Sequence, residues 1–315
     1  MTPDLKAGQM WCRISVFAFF LFYGFCVLAV EQKSVVIAVP PTPSVLPIII
    51  AGNNTSNVRV TVFHSHSQAH TLFLRADIQL LVTGLSVGRQ FFDGSVPVQI
   101  VSSFISGMTY LVTSDNSIET FSQLKGKTLC FPFAGSPIED VTTFFIEREG
   151  LNWPDDFRIE YLPFEATLEY LKLGKIQAAI LPEPMSTVAE QFEKTHLSLK
   201  FKKRWDMLTN SSEGYPQVGV FVFRKWGEQN EGFIKQFNQE IARAIRFIAD
   251  DRKQAIALYK THFNLSEKVI STSLDRTDFL LKTSWELKEY VEDYYQMIGK
   301  PLDETYNAFF YLYSK

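Results

Sequence analysis

The chain has 315 residues, of which 31 are basic and 34 acidic, so its net charge at neutral pH is -3. The charges are mixed along the sequence without a basic tract suited to a phosphate backbone, which argues against nucleic-acid binding. Apolar residues make up 46% of the chain, as in a globular protein. Because domains usually contain about 100–200 residues, this length predicts two lobes.

The N-terminus carries an export pattern. Residues 14–30 form an uncharged apolar block after Lys6 and Arg13, and a polar segment follows. The pattern predicts a signal peptide over residues 1–29, cleaved after Ala29. A retained membrane anchor is one alternative, but the block is shorter than the roughly 20 residues of a spanning helix. A lipid anchor at Cys26 is the other, and the large Phe25 before it argues against that.

Cysteine usage excludes a disulfide framework in the mature chain. Cys12 and Cys26 lie before or within the predicted leader, so cleavage leaves Cys130 alone. Cys130 sits in a short apolar strand, which predicts a buried and inert thiol.

Hydrophobic patterning predicts alternating strands and helices. The first set of strands covers residues 34–39, 57–63, 78–83, 96–104 and 108–114, with helices near 67–75 and 84–92. A second set covers residues 127–133, 157–163 and 176–182, with helices over 165–174 and from 184, and a further strand follows at 216–224. Strands that alternate with helices indicate mainly parallel sheets.

Two helices have marked start signals. Residues 136–139 combine an N-cap Ser, a Pro and a Glu, so a helix is predicted from there to Gly150. Thr283 and Glu286 predict a capping box that opens another helix over 285–299. Between them, apolar residues at three- and four-residue spacing predict an amphipathic helix within 231–251. The basic run at 201–205 is interpreted as a solvated loop.

Six segments in chain order carry a resemblance to a known family. They are "ADIQLLVTGLSVGRQFF", "VPVQIVSSFISGMTYLVTSD", "LKGKTLCFPFAGSPIEDV", "LKLGKIQAAILPEPMSTVAE", "PQVGVFVFRK" and "IGKPLDETYNAFFY". Together they resemble the substrate-binding proteins of bacterial ABC importers, in the branch for nitrate, sulfonate, taurine and thiamine-pyrimidine precursors. The resemblance covers nearly all of the chain after the leader, and its most specific part is "GKIQAAILPEP" at residues 174–184.

The resemblance implies an α/β protein with the two-lobed periplasmic-binding-protein type 2 fold. Each lobe is expected to be a mainly parallel sheet with flanking helices, and two crossover strands near 110–114 and 217–222 join them. The implied boundaries are 30–114 for the first part of lobe 1, 115–215 for the inserted lobe 2, and 216–315 for the return of lobe 1. The chain departs from the family in a short connection between its first two strands and in Ser106, where close relatives often carry Trp.

The function that this resemblance implies is extracytoplasmic solute binding without catalysis, cofactor or metal. A monomer in the periplasm would hold a small polar or heterocyclic molecule between its lobes and deliver it to an ABC permease in the cytoplasmic membrane. The alternative is an enzyme on the same fold, similar to relatives in the menaquinone pathway or in pyrimidine synthesis. The predicted leader favours the receptor, because those enzymes act inside the cell.

The candidate ligand-binding residues follow the strand ends. In open α/β sheets, ligands lie beyond the carboxyl ends of strands and next to helix N-termini. Small hydroxyl groups and glycine are common at these positions here and suit a small polar or zwitterionic ligand. The predicted ligand-binding residues are Thr42, Ser44, Ser65, His66, Thr83, Ser103, Ser106, Gly135, Ser136, Glu183 and Gln217.

Two of these sites have alternative interpretations. Glu183 either accepts hydrogen bonds from a ligand N–H group or interacts only with the dipole of the helix that follows it. A catalytic base is disfavoured, because no partner nucleophile or second acid is apparent. Since Ser136 and Glu183 each follow a buried strand and open a helix, we expect both to face the cleft.

The second ambiguous site is the histidine cluster. His64, His66 and His70 lie within seven residues of sequence, and the last two are one helical turn apart, so a shared metal is conceivable. No acidic residue or cysteine flanks them, which favours a ligand contact by His66 instead.

Overall fold

The structure, a computed structural model, describes residues 34–313. The predicted leader, its cleavage site, Cys12 and Cys26 lie outside this range. Within it, none of the helices combines the length and the apolar character that a membrane crossing requires.

The described chain alternates strands and helices throughout. The strands are β1 (Val35–Val39), β2 (Val58–Val62), β3 (Leu80–Gly84), β4 (Val98–Gly107), β5 (Thr109–Thr113), β6 (Thr128–Phe131), β7 (Arg158–Tyr161), β8 (Ala178–Pro182), β9 (His196–Lys200), β10 (Val218–Phe223) and β11 (Asp278–Thr283). The helices are α1 (Val45–Asn53), α2 (His66–Leu74), α3 (Leu85–Asp93), α4 (Pro137–Arg148), α5 (Phe164–Lys172), α6 (Met185–Ala189), α7 (Phe201–Thr209), α8 (Arg224–Gln229), α9 (Glu231–Asp250), α10 (Arg252–Lys260), α11 (Glu267–Asp275) and α12 (Ser284–Met297).

The strands form two sheets. The first has the order β11-β4-β10-β3-β1-β2, and the second has the order β7-β6-β8-β5-β9. In the first sheet β1 to β4 run in one direction, while β10 and β11 run in the other. In the second sheet only β5 opposes the remaining strands. The predicted α/β fold with two sheets is confirmed, and both sheets are mixed, because five of the nine strand pairs are antiparallel. We call each sheet, with its helices, a lobe.

The chain passes between the sheets twice. Strand β4 ends at Gly107 in the first sheet, and β5 begins at Thr109 in the second. The chain returns after α7 and re-enters the first sheet at β10. The predicted boundary after residue 114 assigns β5 to the first lobe, whereas β5 pairs with β8 and β9 of the second sheet. The division at 114 and 215 remains a prediction.

Sequence patterns account for most elements. Strand β1 is apolar and almost continuously buried, as expected for a strand covered on both faces, whereas β2 at the sheet edge alternates between exposed and half-buried residues. In α9, one apolar stripe that includes Ile234, Ile241 and Ile248 is buried. Helix α4 begins at the predicted Ser136 cap and ends before Gly150, whose φ of 75° suits glycine.

The structure corrects two local expectations. Residues 201–205 begin helix α7, because Phe201 and Trp205 lie one turn apart and are both buried, so the basic side chains form only the outer face of the helix. The capping box at Thr283 is wrong: α12 starts at Ser284, and the Thr283 side chain makes no capping hydrogen bond. Cys130 is buried as predicted, and burial raises the pKa of its thiol to about 12.

Several elements were absent from the prediction, among them helix α1 and strands β9 and β11. Helix α1 is apolar on nearly all sides, because it is buried between the first sheet and other helices, so it shows no helical periodicity. Strand β11 consists of half-buried residues throughout and lacks an alternating pattern. It is an edge strand that pairs only with β4.

Helix α3 is held against the first sheet by a close approach at Gly88. A Cβ atom on Gly88 would lie 2.0 Å from Cε1 of Phe221, whose side chain is fully buried. We expect Gly88→Ala to lower the free energy of unfolding by about 1–3 kcal/mol, because the added Cβ atom overpacks the core.

Gly232→Ala in α9 is the control, because a Cβ there meets nothing within 4 Å. It should be neutral or stabilise by up to about 1 kcal/mol. Urea unfolding of both variants measures the difference, and equal stabilities would contradict the close approach.

Candidate functional site

A small cavity lies where the strand ends of the two lobes meet. Its volume is about 60 Å³. The first lobe supplies residues that follow β1, begin α2 and end β3, and the second lobe supplies residues that follow β6, begin α4 and α5, and end β8. Both passages between the sheets also contribute. The lining residues are Pro40, Thr42, His66, Gly84, Met108, Pro132, Phe133, Ser136, Pro137, Ile138, Phe164, Pro182, Gln217 and Val218.

His66 is the titratable residue of this lining. Its ring lies 4.9 Å from the ring of Phe133 and 5.1 Å from that of Phe63, measured between centroids. Its Nδ1 atom is buried and has no hydrogen-bond partner. Burial, assisted by the neighbouring His70, lowers the pKa of His66 to about 4. The imidazole is therefore uncharged at neutral pH and offers one unpaired hydrogen-bonding atom.

Gln217 lines the cavity, but its amide is already used. The oxygen accepts a hydrogen bond from the Met108 backbone N–H at 3.2 Å, and the nitrogen donates to Oγ1 of Thr109 at 2.8 Å. The backbone N–H of Gln217 donates to the carbonyl of Ile105. Gln217 thus joins the two segments through which the chain passes between the lobes.

Ser136 also lines the cavity, at the start of α4. Its hydroxyl oxygen accepts a hydrogen bond from the Glu139 backbone N–H at 3.2 Å. One carboxylate oxygen of Glu139 in turn accepts from the Gly135 backbone N–H at 2.6 Å. Gly135 has a φ of 71° and accepts a hydrogen bond from the Gln90 side chain of the first lobe. The first turn of α4 is therefore capped by the chain's own groups.

Thr42, Ser44 and Ser65 belong to the first-lobe side of the site. Thr42 lines the cavity, and its hydroxyl is hydrogen-bonded to that of Ser44 at 2.8 Å. Ser65 caps α2 through Gln68 and lies beside the lining residue His66. Thr42 and Ser44 contact each other, whereas Ser65 contacts Ser67 and Gln68, and neither Ser44 nor Ser65 lines the cavity.

Three other predicted residues lie away from the cavity. Thr83 and Ser103 are buried in the first sheet, and both face β10 at Gly219. The hydroxyl of Ser106 donates to the backbone carbonyl of Asp278. Ser106 lines a separate groove of about 800 Å³ that is open to solvent. That groove has ion-paired charges, such as Arg252 with Asp275, on its wall.

Glu183 is buried but does not line the cavity. Its backbone N–H donates to the carbonyl of Met108 at 2.7 Å and so extends the pairing of β8 with β5. Glu183 follows β8 in a turn and is surrounded by Ser186, Thr187 and Arg276. Because β6 and β8 are adjacent and parallel, the expectation that Ser136 and Glu183 both face the cleft remains a prediction.

The surroundings of Glu183 are unusual for a carboxylate. It is fully buried, and neither carboxylate oxygen makes a well-formed hydrogen bond, although the Ser186 and Thr187 hydroxyls and the Thr187 backbone N–H lie beside it. Burial raises the pKa of Glu183, against the opposing effects of the Thr187 and Ser186 hydroxyls and of Arg276. Arg276 itself donates to Thr187 at 3.1 Å and pairs with Glu190 at 2.8 Å.

The apolar part of the cavity wall was not predicted from the sequence. Phe133 follows β6 directly and Phe164 follows β7, so both stand at strand ends. The same topological rule that selected Ser136 therefore applies to them. The residues predicted to bind the ligand were polar side chains and glycine at strand ends. Apolar side chains, however, form most of a typical ligand pocket.

The histidines form a pair rather than a metal cluster. The rings of His66 and His70 have centroids 5.9 Å apart, while His64 is exposed. Across residues 34–313, no three His, Cys, Asp or Glu side chains are grouped so that they could hold a metal ion.

Solved structures share the fold of this chain, whereas sequence comparisons find no relative. No protein-family model and no curated protein sequence matches the chain. The periplasmic aliphatic sulphonate-binding protein SsuA from Escherichia coli is similar in structure, with a TM-score of 0.73, 16% identity, and coverage of 90% of this chain and 94% of that chain. A zinc-bound ligand-binding component of an ABC-type import system from Staphylococcus aureus is also similar in structure. Its TM-score is 0.72 at 12% identity, and the match covers 89% of this chain and 97% of that chain.

A third similar structure extends this likeness beyond bacteria. The Candida albicans CA3427 gene product, described as having the generic periplasmic binding protein fold, gives a TM-score of 0.67 at 11% identity and covers 89% of this chain and 96% of that chain. At these identities the likeness is one of fold. The chain has the two-lobed fold of periplasmic binding proteins, as the sequence resemblance implied.

The buried Glu183 generates a pH-dependent prediction. Because its pKa is raised on folding, the folded state favours the protonated form, and ionisation costs stability as pH rises above the ordinary value of 4.5. We expect Glu183→Gln to be as stable as the parent near pH 4 and increasingly more stable as pH rises through the folded-state pKa. Urea unfolding at roughly pH 4 and pH 8 measures this difference.

Glu190→Gln is the control for this experiment. Glu190 also contacts Arg276, but its side chain is 42% exposed, so the variant should stay within about 0.5 kcal/mol of the parent at both pH values. A Glu183→Gln variant that is less stable at pH 8 would show that Arg276 compensates the burial of an ionised carboxylate.

Proposed function

We propose that the protein is an extracytoplasmic solute-binding protein of an ABC importer, which captures a small molecule between its lobes and delivers it to a membrane permease. The observation that carries this proposal is the cavity at the carboxyl ends of the strands. Both lobes and both connecting segments line it, so lobe movement opens or closes it. The similar structures include ligand-binding components of import systems, which supports the same role.

The composition of the cavity wall supports binding rather than catalysis. His66 is the single titratable side chain among the lining residues. General acid–base chemistry usually needs a second positioned group, such as a partnered nucleophile or acid. Glu183 is not among the residues that line the cavity.

The proposal also retains the expected location and organisation. The predicted leader over residues 1–29 supports export to the periplasm, where a monomer would meet the permease, with lobe 1 formed by 30–114 and 216–315 and lobe 2 by 115–215. Expression of the full chain in a bacterial host tests this. We expect the protein in the periplasmic fraction with Val30 as its first residue, because the signal peptide is removed on export. A cytoplasmic protein that retains Met1 would contradict export.

Ligand binding is tested with the protein purified under native conditions. Denaturation should release a co-purified small molecule for mass spectrometry, and adding that molecule back should stabilise the protein. A ligand at 100 times its dissociation constant stabilises a protein by about 2.7 kcal/mol, which a thermal-shift measurement detects. A screen of alkanesulfonates, nitrate and small heterocycles extends the search.

A pair of phenylalanine variants locates the binding site. Phe133→Ala removes part of the cavity wall, so it should weaken binding by about tenfold or more. Phe279→Ala, in the open groove that contains Ser106, is the control and should leave the affinity unchanged. The reverse result would move the binding site to the groove.

A further inference from the structure

The two lobes touch directly at the cavity, through a glycine and a proline that both line it. Gly84 ends β3 and precedes α3 in the first lobe, and Pro137 is the first residue of α4 in the second lobe. A Cβ atom on Gly84 would lie 2.6 Å from Cδ of Pro137. The lobes are therefore in van der Waals contact here, without room for a methyl group between them.

Hydrogen bonds and an ion pair surround this contact. The side-chain amide of Gln90 in α3 donates to the carbonyl of Gly135 at 2.8 Å. The carboxylate of Asp140, in the first turn of α4, accepts a hydrogen bond from the Ser86 hydroxyl and pairs with Nζ of Lys300 at 2.5 Å. Together with the glycine–proline contact, these bonds hold the first lobe against the start of α4.

Buried aromatic rings also join the lobes. The ring of Trp205 in α7 of the second lobe lies 5.4 Å from the ring of Tyr294 in α12 of the first lobe, measured between centroids. Tyr215, in the segment that returns to the first lobe, lies 5.4 Å from the same Trp205 ring. All three side chains are buried, so separation of the lobes here would expose apolar surface to water.

The cavity that remains between the lobes is small. Its volume of about 60 Å³ is well below the roughly 150 Å³ of a cavity that accommodates benzene. The polar side chains of its wall already have partners within the chain: Thr42 bonds to Ser44, Ser136 caps α4, and both amide atoms of Gln217 are hydrogen-bonded. A solute larger than a few water molecules therefore requires α3 and α4 to move apart.

We propose that the arrangement in which α3 contacts α4 is a self-closed resting state of the protein, and that a solute binds only when the lobes are farther apart. Contacts between the lobes themselves then stabilise this state. Solute binding competes with the contact between Gly84 and Pro137, so the apparent affinity is reduced in proportion to the fraction of open molecules. The contact would thus set the affinity together with the cavity wall.

Distances between two spin labels, measured by pulsed electron paramagnetic resonance, report the separation of the lobes. Gln68 in α2 and Glu165 in α5 are exposed, and each lies within two residues of a side chain that lines the cavity, from opposite lobes. Labels on Gln68→Cys and Glu165→Cys therefore span the cleft. Cys130 is buried, and the two cysteines before residue 30 are replaced by serine. The protein is first dialysed until denaturation releases no small molecule.

Gly84→Ala places a methyl group between the lobes. The backbone of Gly84 is extended, with φ of -60° and ψ of 142°, so alanine adopts it without strain. The three atoms nearest to the added Cβ all belong to Pro137. We expect the parent to give one distance that matches the closed arrangement. The variant should raise the ratio of open to closed molecules by about tenfold or more, which adds a longer distance.

Gly52→Ala is the matched control. A Cβ atom on Gly52 would lie 2.6 Å from Cγ2 of Val60, which is an overlap of the same size. Both residues belong to the first lobe, so this variant should lose stability but keep the distance of the parent. The thermal midpoint of each variant shows whether it is folded.

Three results would overturn the self-closed state. A long or broad distance in the dialysed parent would show that the lobes rest open. An unchanged distance in a folded Gly84→Ala variant would show that the contact does not hold them. An equal shift in Gly52→Ala would show a general effect of lost stability. The measurement needs no solute, so its result is independent of whether a solute co-purifies, which tests the proposed function.

Discussion

The buried amide of Gln217 joins the two segments through which the chain passes between its lobes. It bonds to the backbone of Met108 and to the hydroxyl of Thr109, while its own backbone N–H bonds to Ile105. Breaking these hydrogen bonds would leave buried polar groups unpaired, which lowers the free energy of unfolding by about 1–3 kcal/mol for each group. These bonds therefore hold the two segments in one arrangement. Because Met108 and Val218 also line the cavity, the same bonds fix its floor.

Around this region, side-chain hydrogen bonds and ion pairs also join the lobes. On one side Gln90 and Lys300 bond to the loop and first turn of α4. On the other side Arg276 reaches Thr187 and Glu190 of α6. Partly exposed ion pairs contribute only about 0–1 kcal/mol each. Buried aromatic contacts join the lobes as well, because the ring of Trp205 in α7 lies 5.4 Å from the ring of Tyr294 in α12.

The cavity illustrates how one fold acquires different ligand preferences. Helix α4 presents its N-terminus to the cavity, an arrangement that suits an anion. Here the Glu139 carboxylate accepts from the Gly135 N–H and Asp140 pairs with Lys300, while the residues that line the cavity include no Lys or Arg. The fold positions the site, whereas the side chains around it differ from one protein to another.

The sequence by itself determined the alternation of strands and helices, the start of α4 at Ser136 and the strand ends that meet at the cavity, including Thr42, His66 and Gln217. These features follow from local periodicity and capping. Helix α1 was not predicted, because a helix that is buried on nearly all sides has no periodic pattern of apolar and polar residues. Only the tertiary structure decided that Glu183 does not line the cavity and that Phe133 and Phe164 do. The direction of a side chain and the partners of its polar atoms depend on neighbours that are distant in sequence, such as Met108 beside Glu183.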